Sequence, residues 1–434
     1  MLAVLLIAAP RSAEAVVDIH WWHGMSGKLG AKVDALAKGF NSSQSTFRVV
    51  PIYKGNAIQT MTEGIAASRS KRPPHILQVF EVGTATMMAV GHAIRPIADV
   101  MSDGGEPFDP DHYIPTISSY YTSKDGRLLS LPFNNATPVL YYNKSAFKKA
   151  GLNPDHPPKT WEQVGLVSRQ LLKAGYSCGF SSSWISWIHL ENLSAWHNVP
   201  FGTGGNGFEG MDTRLTANGA VQIKHLAQLA AWEKESIFSY GGRQDLGRRK
   251  FIDEICPMYT ESSAGYADFK EKASFDLGVS ELPYWSDVVK KPQNTIIAGA
   301  SLWVMAGHDR KSYLGVARFL SYLSSPTVQA DWHQSTGYLP VTKAGYRLTK
   351  ESGYYQKNPD REVALRQMVD VLPTAYSRGL RFGHMVRLRD IIYNEMESVI
   401  SGRKSASIGL DAVVERGNKL LRKFENSSQA RKRP

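Results

Sequence analysis

Cysteine is scarce in this sequence: Cys178 and Cys256 are the only two in 434 residues. That count excludes a disulfide-dense scaffold and a multi-cysteine zinc module. After the first few residues no apolar run approaches the roughly 20 residues needed to cross a bilayer, and there are no internal repeats, heptads or low-complexity linkers. The H-E-x-x-H pattern is absent and the 12 histidines show no other tight metal spacing, so neither a metal nor a cofactor is expected. His20 and His23, for example, lie three apart on a strand and would point to opposite faces. Basic residues outnumber acidic ones by 51 to 39, a net charge of +12, yet they form no stripe with interleaved aromatics. The short clusters at Lys71-Arg72, Arg248 to Lys250 and Arg431 to Arg433 read as solvated faces, and no nucleic-acid partner is expected.

What is present describes a globular chain. Hydrophobic residues at 42% and charged residues at 21% supply ample core for two domains of ordinary size. The opening MLAVLLIAAPRSAEA has a short apolar run, Leu2 to Ala9, and a small-x-small triplet, Ala13-Glu14-Ala15. It fits a cleaved export signal over residues 1–15, although the usual basic residues before the apolar run are missing. Removing it leaves the net charge at +12, and the lack of a cysteine before Cys178 speaks against a lipoprotein anchor. Export would make Cys178 and Cys256 a possible disulfide; two separate buried thiols are the alternative.

Periodicity predicts a strand over Val16 to Trp22, then a helix with Leu29, Val33, Leu36 and Phe40 on one face. A strand at Phe47 to Tyr53, a helix at Ile58 to Ala67 and a strand at His75 to Phe80 complete the alternation of a parallel α/β sheet. Further along, Val139 to Tyr142 reads as a strand, and Trp161 to Lys173 and Val221 to Lys234 as helices. A second parallel-sheet-like section spans Ile296 to Met305, the C-terminal third is helical, and the basic tail over 426–434 is expected to be disordered. Two α/β sections whose texture changes more than once imply interleaved domains with several crossings, and a cleft at their interface.

Two familiar patterns lack their context. Gly175-Tyr176-Ser177-Cys178-Gly179 matches G-x-S-x-G, which would make an exported serine hydrolase of Ser177, but a helix precedes it where the nucleophile elbow needs a strand. Gly202-Thr203-Gly204-Gly205-Asn206-Gly207 matches G-x-G-x-x-G with no strand leading in, and is expected to be a surface loop. The 10 tryptophans and 19 tyrosines are more telling, gathered in phrases such as Trp184-Ile185-Ser186-Trp187 and Gly337-Tyr338-Leu339-Pro340. Flat aromatic walls with a few polar groups suit sugars and polyols, while the plainer reading of any one ring is core filling.

Several longer phrases resemble the extracellular solute-binding proteins of bacterial ABC importers, in particular their glycerol-3-phosphate branch. They include EVGTATMM (Glu81 to Met88), TPVLYYNKSAFKKAGL (Thr137 to Leu152), WIHLENLSAW (Trp187 to Trp196), GASLWVM (Gly299 to Met305), WHQSTGYLPVTKAGY (Trp332 to Tyr346) and GLRFGHM (Gly379 to Met385). The resemblance implies a periplasmic, non-enzymatic, monomeric protein that delivers its ligand to membrane permease subunits. It implies the class II periplasmic-binding-protein fold, two α/β lobes joined by a three-crossing hinge with the ligand between them. Lobe 1 would comprise 16–134 and 297–340, and lobe 2 would comprise 135–296 and 341–425. It also implies site roles: Glu81 accepts hydrogen bonds from glycerol hydroxyls, Trp184 and Trp187 wall the carbons, and Arg389 clamps phosphate. Ser262 donates from its hydroxyl, Gly299 from its amide, and Tyr338 closes the pocket.

Two positions depart from the family's pattern. Ala57 stands where the family carries tyrosine after YKGN, and Ala136 where it carries serine before TPVLYY. A lost hydrogen bond to a charged ligand costs about 1.5–3 kcal/mol. Both changes also enlarge the pocket, so a glycerophosphodiester such as glycerophosphocholine is expected to bind better than glycerol-3-phosphate. An oligosaccharide binder of the same superfamily is the alternative, and it would not need Arg389 as a phosphate clamp.

Overall fold

A computed structural model describes residues 15–430. The expected signal peptide lies outside the described residues except for Ala15, as do the last four residues of the basic tail. Eleven strands are described: β1 (Val17–His23), β2 (Phe47–Tyr53), β3 (Ile76–Phe80), β4 (Ile94–Arg95), β5 (Leu131–Ala136), β6 (Pro138–Asn143), β7 (Phe180–Ser182), β8 (Phe238–Tyr240), β9 (Met258–Ser262), β10 (Leu277–Ser280) and β11 (Ala298–Met305). They form two sheets, one ordered β2-β1-β3-β11-β4 with β5 also paired to β11, the other ordered β10-β6-β9-β7-β8. Each sheet is the centre of one α/β lobe.

The local elements follow from the residues. In the helix Gly27–Ser43 the periodic positions Val33, Leu36 and Phe40 are buried, which docks it on the first sheet. Asn56 and Gln59 make a reciprocal capping box that starts the helix Ala57–Arg69, and Thr160 with Gln163 does the same for Trp161–Lys173. Trp21 is fully buried between the rings of Phe133 and Phe319, at 5.4 and 5.5 Å. In the second lobe Phe180 packs against Phe238 at 4.8 Å and Trp161 at 5.9 Å.

The chain leaves the first sheet after Ala136, joins the second at Pro138, and returns between Ser280 and Ala298. Asn135 and Ala136, expected in the second lobe, pair with Gly299 and Ala298 in the first sheet. The third passage lies between the helix Pro326–Thr336 and the helix Asp360–Val369, which packs on β6 and β10.

Three expectations need revision. The section ending at Met305 is not parallel: β11 runs antiparallel to β3, β4 and β5. No crossover helix precedes it; it enters from the other lobe at the cleft end and must run the opposite way. The stretch at 202–207 is not a plain surface loop. Gly204, Gly205 and Asn206 form a left-handed turn, and the buried Asn206 side chain accepts from the amides of Phe201 and Gly202 at 3.0 and 2.9 Å. Residues 426–430 are not disordered but complete the helix Ala406–Ala430, because the buried face of Leu421 and Phe424 continues to Ser428. Of the two alternatives for the cysteines the disulfide is the one formed: Cys178 and Cys256 are joined with Cα atoms 4.8 Å apart, just before β7 and β9, at the end of the sheet away from the cleft.

Candidate ligand-binding cleft

Strand ends from both sheets converge on one region. Glu81 follows β3, Ser262 ends β9, Trp184 lies just past β7, and Gly299 sits at the start of β11 opposite Asn135. Arg389 comes from the helix Met385–Ile400 of the second lobe. This arrangement places charged and aromatic groups at the carboxyl ends of strands, between two lobes.

The centre is a buried ion cluster. Arg389 Nη1 lies 2.9 Å from Glu81 Oε1, so this pair reaches across the lobes. That oxygen falls outside hydrogen-bond geometry and has no other partner. The rest of the guanidinium is taken by Glu191: Nε donates to Oε1 at 2.8 Å and Nη2 donates to Oε2 at 2.7 Å, a two-pronged contact. Burial pulls the Arg389 pKa down, but the charges of Glu191 and Glu81 outweigh it and hold it above its ordinary value. Burial pushes the Glu81 carboxyl up against the opposing pull of Arg389, and Glu191 adds to the rise. Arg389, which the resemblance casts as a phosphate clamp, is thus held by two carboxylates rather than standing free. Beside the cluster is a small recess lined by Glu81, Tyr120, Glu191, Ile297, Leu380 and Arg389.

The other expected residues surround it. Trp184 has a left-handed backbone, φ +53°, and its indole N–H donates to Asp245 Oδ1 at 3.2 Å. Trp187 is buried, and its indole nitrogen has no hydrogen-bond partner. Ser262 Oγ accepts from the amide of Ala264 at 3.2 Å, which leaves its proton to donate elsewhere. Gly299 has φ +95°, and a Cβ there would stand 1.9 Å from the carbonyl oxygen of Asn134, so only glycine fits. Half-buried Tyr338 stacks on Trp332 at 6.0 Å and 5°; burial raises its hydroxyl pKa, while a hydrogen bond with Asn134 lowers it. Ala136 is buried at the end of β5, whereas Ala57 is exposed at the start of its helix, beyond the cleft end of β2.

Several residues were not singled out from sequence. Glu191 is 1% exposed on a π-helical turn, Trp187–Asn192; a lone acid in the apolar phrase WIHLENLSAW was the signal for it. The Tyr120 hydroxyl lies 2.6 Å from the Leu380 carbonyl and 3.1 Å from that of Glu81, linking the lobes behind the cluster. At the rim, Arg248 lies 3.4 Å from the buried Glu261 and 3.2 Å from Asp245. Burial pushes the Glu261 carboxyl up to about 7, against the pull of Arg248. Ser177 is exposed beside the disulfide, away from the cleft, and β7 follows it rather than precedes it. Among the described residues no group of three or more His, Cys, Asp or Glu side chains could hold a metal, and no helix is long and apolar enough to cross a membrane.

Known proteins fit this geometry. The chain is 50% identical over 425 residues to the sn-glycerol-3-phosphate-binding periplasmic protein UgpB of Escherichia coli, covering 98% of this chain and 97% of that one. The corresponding protein of Salmonella typhimurium is 49% identical over 427 residues with the same coverage. Among solved structures, UgpB from Mycobacterium tuberculosis in complex with glycerophosphocholine matches with a TM-score of 0.78 at 21% identity, over 95% of this chain and 100% of that one. The cyclic alpha-maltosyl-1,6-maltose binding protein of Arthrobacter globiformis matches with a TM-score of 0.76, also at 21% identity and with the same coverage. A family model for bacterial extracellular solute-binding proteins matches residues 35–363. With two interleaved lobes, a charged cleft between them and this breadth of agreement, the chain belongs to the bacterial extracellular solute-binding proteins.

Proposed function

We propose that this protein is the periplasmic solute-binding component of an ABC importer that captures glycerol phosphate compounds and delivers them to permease subunits in the inner membrane. It acts as a monomer and catalyses no reaction. The observation that carries this reading is the 50% identity, spread over nearly the whole chain, to proteins named for sn-glycerol-3-phosphate binding. The lobes, 16–136 with 297–340 and 137–296 with 341–425, close on the ligand about the three crossings.

The cleft chemistry supports a particular orientation. Glu81 accepts from glycerol hydroxyls while Arg389 Nη1 donates to them. With Arg389 already shared by two carboxylates, the phosphate is better served by the hydroxyls of Ser262 and Tyr338 and the amide of Gly299. Trp184 and Trp187 wall the carbon chain. Ala57 and Ala136 remove two donors and leave room for a second substituent on phosphorus, which favours a diester such as glycerophosphocholine over glycerol-3-phosphate. Calorimetry with glycerol-3-phosphate, glycerophosphocholine and maltose tests this. Glycerophosphocholine is expected to bind tightest, and maltose binding with neither glycerol compound would overturn the reading.

A further inference from the structure

The ion cluster has one member whose role no ligand contact explains. Glu191 is fully enclosed, and both of its oxygens are occupied: Oε1 accepts from Ser186 Oγ and Arg389 Nε, each at 2.8 Å, and Oε2 accepts from Arg389 Nη2 at 2.7 Å. It does not face the cleft as a free group. Its effect reaches the ligand only through Arg389, in two ways. The two-pronged contact fixes the plane of the guanidinium, so that Nη1 alone is directed at Glu81 and the recess. It also sets the local charge, because one guanidinium shared by two carboxylates carries a formal charge of −1 when all three groups are ionised.

That charge balance discriminates between ligand groups. An anion arriving at Arg389 meets a net negative field in a low-dielectric recess, where like charges repel strongly. A neutral vicinal diol meets a donor, Nη1, beside the Glu81 carboxylate, whose Oε1 lies 2.9 Å from that donor and makes no other hydrogen bond. Removing the Glu191 charge would lift that repulsion, since Arg389 and Glu81 alone sum to zero and the Nε–Nη2 edge of the guanidinium would be released.

We propose that Glu191 is a specificity-determining residue that acts through Arg389, making this end of the cleft a reader of neutral hydroxyls and excluding phosphate from it. The proposal rests on the reading of the cleft as a glycerol phosphate site, but it makes its own demand on a ligand that contains no glycerol.

The experiment is calorimetry on the purified mature protein with glycerophosphocholine and, separately, with inorganic phosphate. In Glu191→Gln the glycerol compound is expected to weaken by about tenfold or more, and inorganic phosphate to bind at least about tenfold more tightly than to wild type. Glu191→Asp keeps the charge and shortens the reach; it is expected to weaken the glycerol compound without any gain for phosphate. A merely structural Glu191 predicts loss for both ligands in Glu191→Gln with no gain for phosphate, and that result overturns the proposal. If Glu191→Gln fails to fold, Ser186→Ala decides: loss of the hydroxyl that steadies Glu191 should shift the ratio of the two affinities toward phosphate by about two- to fivefold, and an unmoved ratio overturns it. Should wild type bind no glycerol compound, the function proposed above falls, while the phosphate arm still decides the role of Glu191.

Discussion

Two arginines of the second lobe eight residues apart, the buried Arg381 and the largely enclosed Arg389, meet opposite surroundings. Arg389 is held by carboxylates, Glu191 and Glu81. No carboxylate of the described residues pairs with Arg381, which is 6% exposed. Its Nε donates to the Tyr120 carbonyl at 2.9 Å, its Nη2 donates to the carbonyls of Ser119, Tyr120 and Thr122, and its plane lies 4.0 Å from the Phe208 ring. Burial pulls the Arg381 pKa down to about 10, whereas the acids beside Arg389 hold its value up. Arg381 ties the first lobe's 119–122 segment to the second lobe and uses its hydrogen-bonding capacity in doing so. Arg389 sits between Glu191, whose oxygens are both occupied, and Glu81, whose hydrogen bonding is incomplete, and that incompleteness suits a ligand. Burial alone therefore does not mark a functional arginine; the partners do.

The comparison can be broken from either side. The largest effect is expected from Arg389→Ala, which leaves two buried carboxylates facing each other. Ligand binding should fall at least about a hundredfold, with about 3–5 kcal/mol of stability lost; calorimetry and thermal unfolding check both, and retained tight binding would place the ligand elsewhere. Arg381→Ala should cost about 2–4 kcal/mol of stability by orphaning three carbonyls, yet keep the order of ligand preference. A changed preference would mean that the tie between the lobes also shapes the site.

A third arginine, the half-buried Arg248 beside buried Glu261, sharpens the contrast through pH. Glu261 beside Arg248 has its folded pKa raised to about 7 from a model-peptide value of 4.5. The folded state thus holds its proton more tightly than the unfolded state. The resulting stability is present below about pH 4.5 and is lost as pH rises through about 7, a change of about 3 kcal/mol. Glu261→Gln should flatten that decline in melting temperature, and an unchanged slope would assign the pH dependence to other groups.

Much of the fold was legible in advance because its periodicities are local. Phe47 to Tyr53 and Trp161 to Lys173 fall on the observed elements at both ends, since β-branched runs and capping residues act within a few positions. The direction of β11 was not legible, because it depends on where the chain re-enters the sheet rather than on the residues of the strand. Within the cleft, Glu81 and Arg389 were named separately, and nothing in their spacing of several hundred residues says that they touch. Glu191 was passed over because a single acid in an apolar segment does not state its partner.

The amino-acid sequence by itself determined the class of protein, the alternation of elements and the surplus of positive charge, all of which follow from local chemistry or from whole phrases. Only the tertiary structure decided which charge neutralises which. Coulombic pairing depends on distance and burial in three dimensions, and folding brings Glu81, Glu191 and Arg389 within 3 Å contacts of one another through Arg389. The net +12 of the chain thus coexists with a cleft centre whose own balance is negative.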